Sequence, residues 1–208
     1  MSTASFNAVI SGFLLLLVTG CASKGGVTLP IDTASSAPGT AVTLKGQTLL
    51  LTGTPLQVGS PIPATALVDA STMKKVDLSQ MKGRVLFLSL VPSLDTKVCE
   101  AQTHKLGELG AKHSPDIARI TISRDTPFAQ NRFAKEAKLT GITYLSDYRD
   151  GSFGRATGLL QAESMLLARA VILVDKDGIV RYIQVVPELT HLPDMEAAFA
   201  RAEVLLQR

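Results

Sequence analysis

The sequence predicts an α/β domain: a sheet covered by helices and opened by an N-terminal β-hairpin. Three observations predict it. Short apolar runs rich in Val, Ile and Leu alternate with longer stretches of helical periodicity through the middle of the chain. A strong turn, Asp175-Lys176-Asp177-Gly178, separates two further strand-like runs near the end. Beyond residues 1–20, the remaining chain has the size that fills one domain around a substantial core.

The elements follow in order. Phe13-Leu14-Leu15-Leu16-Leu17-Val18 is too short to span a bilayer, which needs about 20 apolar residues, but suits a signal-peptide core. Val18-Thr19-Gly20-Cys21 resembles the bacterial lipobox, although residues 1–12 contain no Lys or Arg. Residues 1–20 are therefore expected to be a lipoprotein signal peptide and Cys21 a lipid attachment site. Residues 21–41, rich in Ser, Thr, Gly, Ala and Pro, are expected to be a flexible tether spanning roughly 25 Å. The domain is then 42–208. Val42 to Leu51 alternates and breaks at Lys45-Gly46, which predicts the hairpin. Ala64 to Leu78 holds two short strands with a turn at Ala70–Met73. Val85–Val91 reads as a buried strand, Lys97–His113 as a helix, Ile117–Ser123 as a strand and Phe128–Leu139 as a helix. Thr143–Leu145 is a weak strand and Gly151–Thr157 a short helix. Ala170–Val174 and Ile179–Val186 flank the strong turn, and a helix over Pro193–Leu206 closes the chain.

The stretch Pro92-Ser93-Leu94-Asp95-Thr96-Lys97-Val98-Cys99 carries the chemistry. It places Cys99 in the first turn of a helix at the end of a buried strand. Unpaired helical N–H groups and the helix dipole favour negative charge there, and the thiolate is the nucleophilic form of cysteine. Thr96, three residues earlier, can turn its hydroxyl toward the sulfur or toward an oxygen bound beside it. Asp95 is the expected helix cap. Pro92 lacks an N–H, and its ring can shield the sulfur. Arg169 precedes a fully apolar strand and so belongs at the edge of the core. A guanidinium at that edge favours a nearby thiolate and can donate to an oxygen bound beside it.

Pro92, Thr96 and Cys99 match the Pro-x-x-x-Thr-x-x-Cys signature of peroxiredoxins, and the full stretch resembles their thiol peroxidase branch. Ser123 to Phe133, Leu167 to Val171 and the opening hairpin extend the resemblance over roughly residues 41–208. It implies a thioredoxin-like fold of the peroxiredoxin type. It also implies that Cys99 is the peroxidatic cysteine, with Pro92, Thr96 and Arg169 around it. One departure stands out. Members of this branch usually carry a resolving cysteine in the helix that begins at Phe128, and the matching position is Ala134. The chain's other cysteine is Cys21.

The expected function is a one-cysteine, thiol-dependent peroxidase, reducing hydrogen peroxide and organic hydroperoxides with an external thiol. A non-catalytic envelope redox sensor or binding protein that kept the fold is the alternative. A formal net charge of +3 gives no basis for nucleic-acid binding or a polybasic membrane patch. The absence of a CxxC pair disfavours disulfide isomerase chemistry. His104 and His113 lie nine residues apart on one helix and His191 is isolated in a loop, so no metal or other cofactor is expected. Arg132 is expected to serve packing and orientation. The expected location is the bacterial envelope facing the periplasm. With Ala22 rather than Asp after Cys21, the anchor is expected in the outer membrane. The resemblance allows a homodimer.

Overall fold

The computed structural model describes Met1 and residues 28–207. The expected signal peptide, the Cys21 lipid site and the first part of the expected tether lie outside the described residues. In chain order the strands and helices are β1 (Ile31–Asp32), β2 (Ala41–Leu44), β3 (Gln47–Thr52), β4 (Leu67–Asp69), β5 (Lys75–Val76), β6 (Val85–Leu90), α1 (Lys97–Gly110), β7 (Ile117–Ser123) and α2 (Pro127–Ala137). Then come β8 (Ile142–Ser146), α3 (Ser152–Thr157), β9 (Leu160–Gln161), β10 (Ala170–Val174), β11 (Val180–Val185), β12 (Leu192–Pro193) and α4 (Met195–Leu206). This is the mixed α/β thioredoxin-like fold.

A seven-stranded sheet in the order β11-β10-β6-β7-β8-β4-β5 forms its centre. Strands β6, β7 and β8 are parallel, and β10 runs antiparallel to β6. Every residue of β6 is buried, and its side chains alternate between two cores. Val85 and Phe87 face Leu106, Phe199 and Ala202 of α1 and α4, with Phe87 and Phe199 stacked at 4.3 Å between centroids. Leu86, Leu88 and Leu90 face the larger core, shared with Ile120, Ile172, Phe153 of α3, and Val42 and Leu51 of the hairpin. Continuous apolar sequence in β6 and β10 is what a strand covered on both faces requires.

The helix ends follow local chemistry. Thr126 caps α2 by accepting from the Ala129 N–H, and Pro127 occupies its first position, where a missing N–H costs nothing. Lys138, at φ 53°, ends that helix short of the expected Leu139. Helix α1 stops at Gly110 rather than His113. Asp194 caps α4 through the Ala197 N–H, leaving Pro193 in β12 instead of the helix.

The expected tether requires correction over its described part. From Ile31 onward the chain is docked. Ile31 and Asp32 pair in parallel with Leu192 and Pro193, and the Ser36 N–H donates to Val185 O at 2.8 Å. The Gln184 amide donates to Asp32 O at 2.6 Å, and His191 Nδ1 lies 3.0 Å from Asp32 Oδ2. Small polar residues suit a loose linker and an extended strap equally well. The strap wins where a sheet edge and a buried Gln satisfy its backbone.

Candidate active site

Strand β6 delivers the chain to Pro92, and α1 begins at Lys97, so Cys99 occupies the helix's first turn. Its side chain is fully buried. The loop between is tied down by Asp125, which the sequence reading did not single out. Asp125 accepts from the Ser93 hydroxyl at 2.7 Å, the Leu94 N–H at 2.8 Å and the Ser123 hydroxyl at 2.8 Å. Gln130 of α2 donates to that same Ser123 hydroxyl at 2.8 Å, which links α2 to the loop.

Asp95 is not the cap. Thr96 takes the extended cap conformation (φ −115°, ψ 143°) without a side-chain cap bond, while Asp95 faces Arg132 at 3.3 Å on the surface. The Asp125 anchor sets the loop one residue differently from a simple Asp cap. The Thr96 hydroxyl donates to Ser93 O at 3.1 Å rather than to the sulfur, so its lone pairs remain free to accept. Among the described residues Arg132 makes only that exposed ion pair, with no hydrogen bond to Cys99.

Arg169 lies just before β10 and is 2 % exposed. Its Nη2 lies 3.4 Å from Cys99 Sγ. Leu189 O accepts from both Nε (3.1 Å) and Nη2 (2.9 Å), and Gln102 Oε1 accepts from Nη1 at 2.7 Å. The structure thus brings Pro92, Thr96, Cys99 and Arg169 to one cavity of about 320 Å³. Leu44, Leu49, Val98, Leu166 and Leu189 make its wall predominantly apolar.

The hairpin forms part of that wall through a carboxylate clasp. Lys45 (φ 51°) and Gly46 (φ 81°) make a tight turn with two left-handed residues, the conformation that suits Gly. Glu188 accepts from the Lys45 N–H (2.9 Å), the Gly46 N–H (3.3 Å), the Thr43 hydroxyl (2.8 Å) and the Thr190 N–H (3.1 Å). Partial burial works to raise its pKa, but these donors together bring it down to about 2. Leu189, next in sequence, reaches the cavity on one side and Arg169 through its carbonyl.

On the other side of the sulfur, Cys99 packs in a small cluster with Val91, Leu94, Phe133 and Tyr144. Ala134 of α2 packs against this same cluster. Burial pushes the Tyr144 phenol up to about 12, and its hydroxyl has no partner among the described residues. The three histidines stay apart, each beside its own carboxylate: Glu100, Glu203 and Asp32.

The sequence carried faint signals for the residues it did not reveal. Ser89 is the one polar residue in β6, and Gln102 falls on the buried face of α1. Together they mark a polar contact inside the core, at 2.8 Å. Nothing in the sequence marks Leu189, because its contribution is a backbone oxygen.

Comparison with known proteins gives consistent findings. The redoxin family model matches residues 57–199. The thiol peroxidase of Halalkalibacterium halodurans is 40% identical over 166 residues, covering 80% of this chain and 99% of the relative. That of Bacillus subtilis is 39% identical over 166 residues, covering 80% and 98%. Among solved structures, a peroxiredoxin-like protein from Aquifex aeolicus superposes with a TM-score of 0.76 at 34% identity, covering 82% of this chain and 99% of that one. A thiol peroxidase from Chromobacterium violaceum shares the fold, with a TM-score of 0.68 at 23% identity over 81% and 95% of the two chains.

Proposed function

The chain belongs to the redoxin family and is a peroxiredoxin-type peroxidase of the thiol peroxidase kind, and from that premise we propose a one-cysteine mechanism centred on Cys99. The Cys99 thiolate attacks one oxygen of a hydroperoxide and the O–O bond breaks. The departing oxygen takes a proton and leaves as water or an alcohol, and the sulfur becomes sulfenic acid. Arg169 holds the thiolate's charge and that developing on the leaving oxygen. Thr96, with its proton committed to Ser93 O, accepts from the peroxide O–H. An external thiol then condenses with the sulfenic acid, releasing water, and a second thiol frees Cys99 from the mixed disulfide.

The observation that carries this reading is the buried Arg169 guanidinium at 3.4 Å from the Cys99 sulfur, inside an apolar cavity. The cavity wall supports organic hydroperoxides as substrates beside hydrogen peroxide. Ala134 supports external resolution, since α2 brings no thiol to the Cys99 cluster. The redox-sensor alternative is not favoured, because the curated relatives are thiol peroxidases. Mass spectrometry of Cys99 after one equivalent of hydroperoxide, with and without small thiols or a thioredoxin-like protein, tests the mechanism. Sulfenic acid consumed by added thiol is expected; an unmodified Cys99 overturns it.

For location, we propose that Cys21 carries a lipid and holds the domain beside a bacterial membrane, facing the periplasm, with the outer membrane favoured by Ala22. Palmitate labelling lost in Cys21→Ala is the expected result, and labelling that persists in this variant refutes the assignment.

A further inference from the structure

The loop 186–191, between β11 and β12, carries the carbonyl that holds Arg169, and it is fastened from two directions. The hairpin grips its middle. There the Leu189 N–H donates to Thr43 O at 2.8 Å and the Thr43 N–H to Pro187 O at 2.7 Å. The strap grips its two ends. Just before the loop, the Ser36 N–H donates to Val185 O at 2.8 Å and the Val185 N–H to Ser35 Oγ at 2.9 Å. Just after it, the Leu192 N–H donates to Pro30 O at 2.8 Å, and Ile31 and Asp32 pair with Leu192 and Pro193. Residues 30–36 thus bridge the ends of the loop.

Gln184 gives the strap a built seat. It is buried, and both bonds from its amide nitrogen end on strap carbonyls, Asp32 O at 2.6 Å and Ala34 O at 3.2 Å. Its amide oxygen accepts from the Asp194 N–H at 3.0 Å, at the cap of α4, so the amide has one orientation. A buried amide stripped of its acceptors is costly, which favours the docked strap. The strap also precedes residues 57–199, the part that matches the redoxin family.

We propose that the strap is a brace for the active site: by closing the ends of the 186–191 loop it fixes Leu189 O, and through that oxygen the aim of Arg169 at Cys99. Gln184 is the positioning residue that seats it. The proposal rests on the peroxidase reading above. The path is short and continuous. The Val186 N–H donates to Arg169 O at 2.9 Å, which ties the start of the loop to the arginine's backbone. Leu189 O then accepts from Nε and Nη2 of the same residue. Held at its ends and middle, the loop keeps that oxygen in one place. Held in the middle alone, it can pivot on the hairpin, and a charge-stabilising donor acts fully only when preorganised.

Two variants of the full chain release the strap from opposite sides. Gln184→Leu removes its seat, and Ser36→Pro removes the N–H that joins it to Val185. Neither residue lines the cavity. His113→Ala breaks the contact with Glu203 between α1 and α4 and controls for lost stability alone. The Asp32–His191 pair at the strap's edge stays in place in all three. Amide exchange at Val185 and Leu192 reports release of the strap, and circular dichroism reports the fold. Cys99 is followed by mass spectrometry. Iodoacetamide alkylation across pH reads its thiolate population, and oxidation by cumene hydroperoxide reads thiolate and aimed donor together.

In both strap variants the alkylation profile is expected to move up by about half a pH unit or more, and oxidation to slow roughly threefold to tenfold. His113→Ala is expected to lower thermal stability and leave both reactions at wild type. Where one strap variant fails to fold, the other decides. A released strap with wild-type alkylation and oxidation overturns the brace, as does an equal change in His113→Ala, and either result leaves the peroxidase reading standing. A wild-type Cys99 that the hydroperoxide does not oxidise overturns both.

Discussion

The two sides of Cys99 are built on opposite terms. On the Arg169 side, Gln102, Leu189 O and Ser89 form a closed polar network inside the core, with bond lengths of 2.7 to 3.3 Å. On the α2 side, Cys99 packs in a cluster with Leu94, Phe133 and Tyr144, against which Ala134 also packs, and among the described residues no polar group from that side bonds to the sulfur. Buried polar networks rigidify, whereas apolar contacts tolerate sliding. Under the proposed mechanism, the first side suits a fixed transition-state geometry and the second suits the approach of another thiol to the oxidised sulfur. On that proposal, attack and resolution make different demands on neighbouring structure, and each falls to a separate wall.

Experiments can break or sharpen this contrast. The largest effect is expected from Cys99→Ser, which should abolish peroxide turnover with the fold intact, since the hydroxyl is nearly the thiol's size but not nucleophilic at neutral pH. Peroxide consumption measured with added thiol checks it, and full residual activity would end the Cys99 mechanism. Next, Arg169→Met should lower the rate constant for Cys99 oxidation about 10²-fold, the scale of losing one preorganised charge-stabilising donor. An unchanged rate would reduce the polar wall to a structural role.

On the apolar wall, the wild type should lose activity during turnover at limiting reductant, as unresolved sulfenic acid proceeds to sulfinic acid. Ala134→Cys should give partial protection through a disulfide with Cys99 where α2 unwinds, detected by mass spectrometry of the oxidised protein. Recovery of wild-type Cys99 as a reversible species after excess peroxide would refute that fragility.

A smaller effect is expected at the clasp. Glu188→Gln should cost about 1–2 kcal/mol of stability, on the scale of charge-assisted hydrogen bonds, and raise KM for bulky hydroperoxides more than for hydrogen peroxide. Its pH dependence has a definite sign. The folded-state pKa of about 2 lies below the ordinary carboxylate value of 4.5, so the stabilisation is complete above that range and disappears as pH falls through 2. Amide exchange at Lys45 and Gly46 as pH is lowered tests it. The smallest effect is expected from Arg132→Ala, within about 0.5 kcal/mol by thermal denaturation, because its ion pair with Asp95 is exposed on both sides.

What the sequence revealed followed from local pattern. Strands β7 and β10 match their expected ends, because runs such as Ala170–Val174 are apolar throughout and bounded by polar residues. Cys99, Thr96 and Pro92 were legible because they fall in one short loop-to-helix stretch, and Arg169 because it borders a buried strand. Asp125 and Glu188 were not, since each organises a loop from 31 or more residues away, a separation that periodicity does not encode. The strap at Ile31–Asp32 was hidden for a related reason. Its partner, Leu192–Pro193, lies at the far end of the sequence, and Pro193 was itself assigned to the closing helix.

Leu189 bears on how the site responds to mutation. Two of the guanidinium's anchoring contacts end on its carbonyl oxygen, an atom present whichever residue occupies the position. A scan that truncates side chains one at a time would record position 189 as a wall residue and miss its hold on Arg169 altogether. The true dependence is on where the backbone lies, and that is set by the bond from the Leu189 N–H to Thr43 O, 2.8 Å away on the hairpin. Tolerance to substitution at 189 and intolerance to changes in hairpin length are therefore two readings of one contact. The hairpin can diverge freely in surface sequence, but an inserted or deleted residue between Thr43 and its turn would misplace a charge at the far side of the cavity.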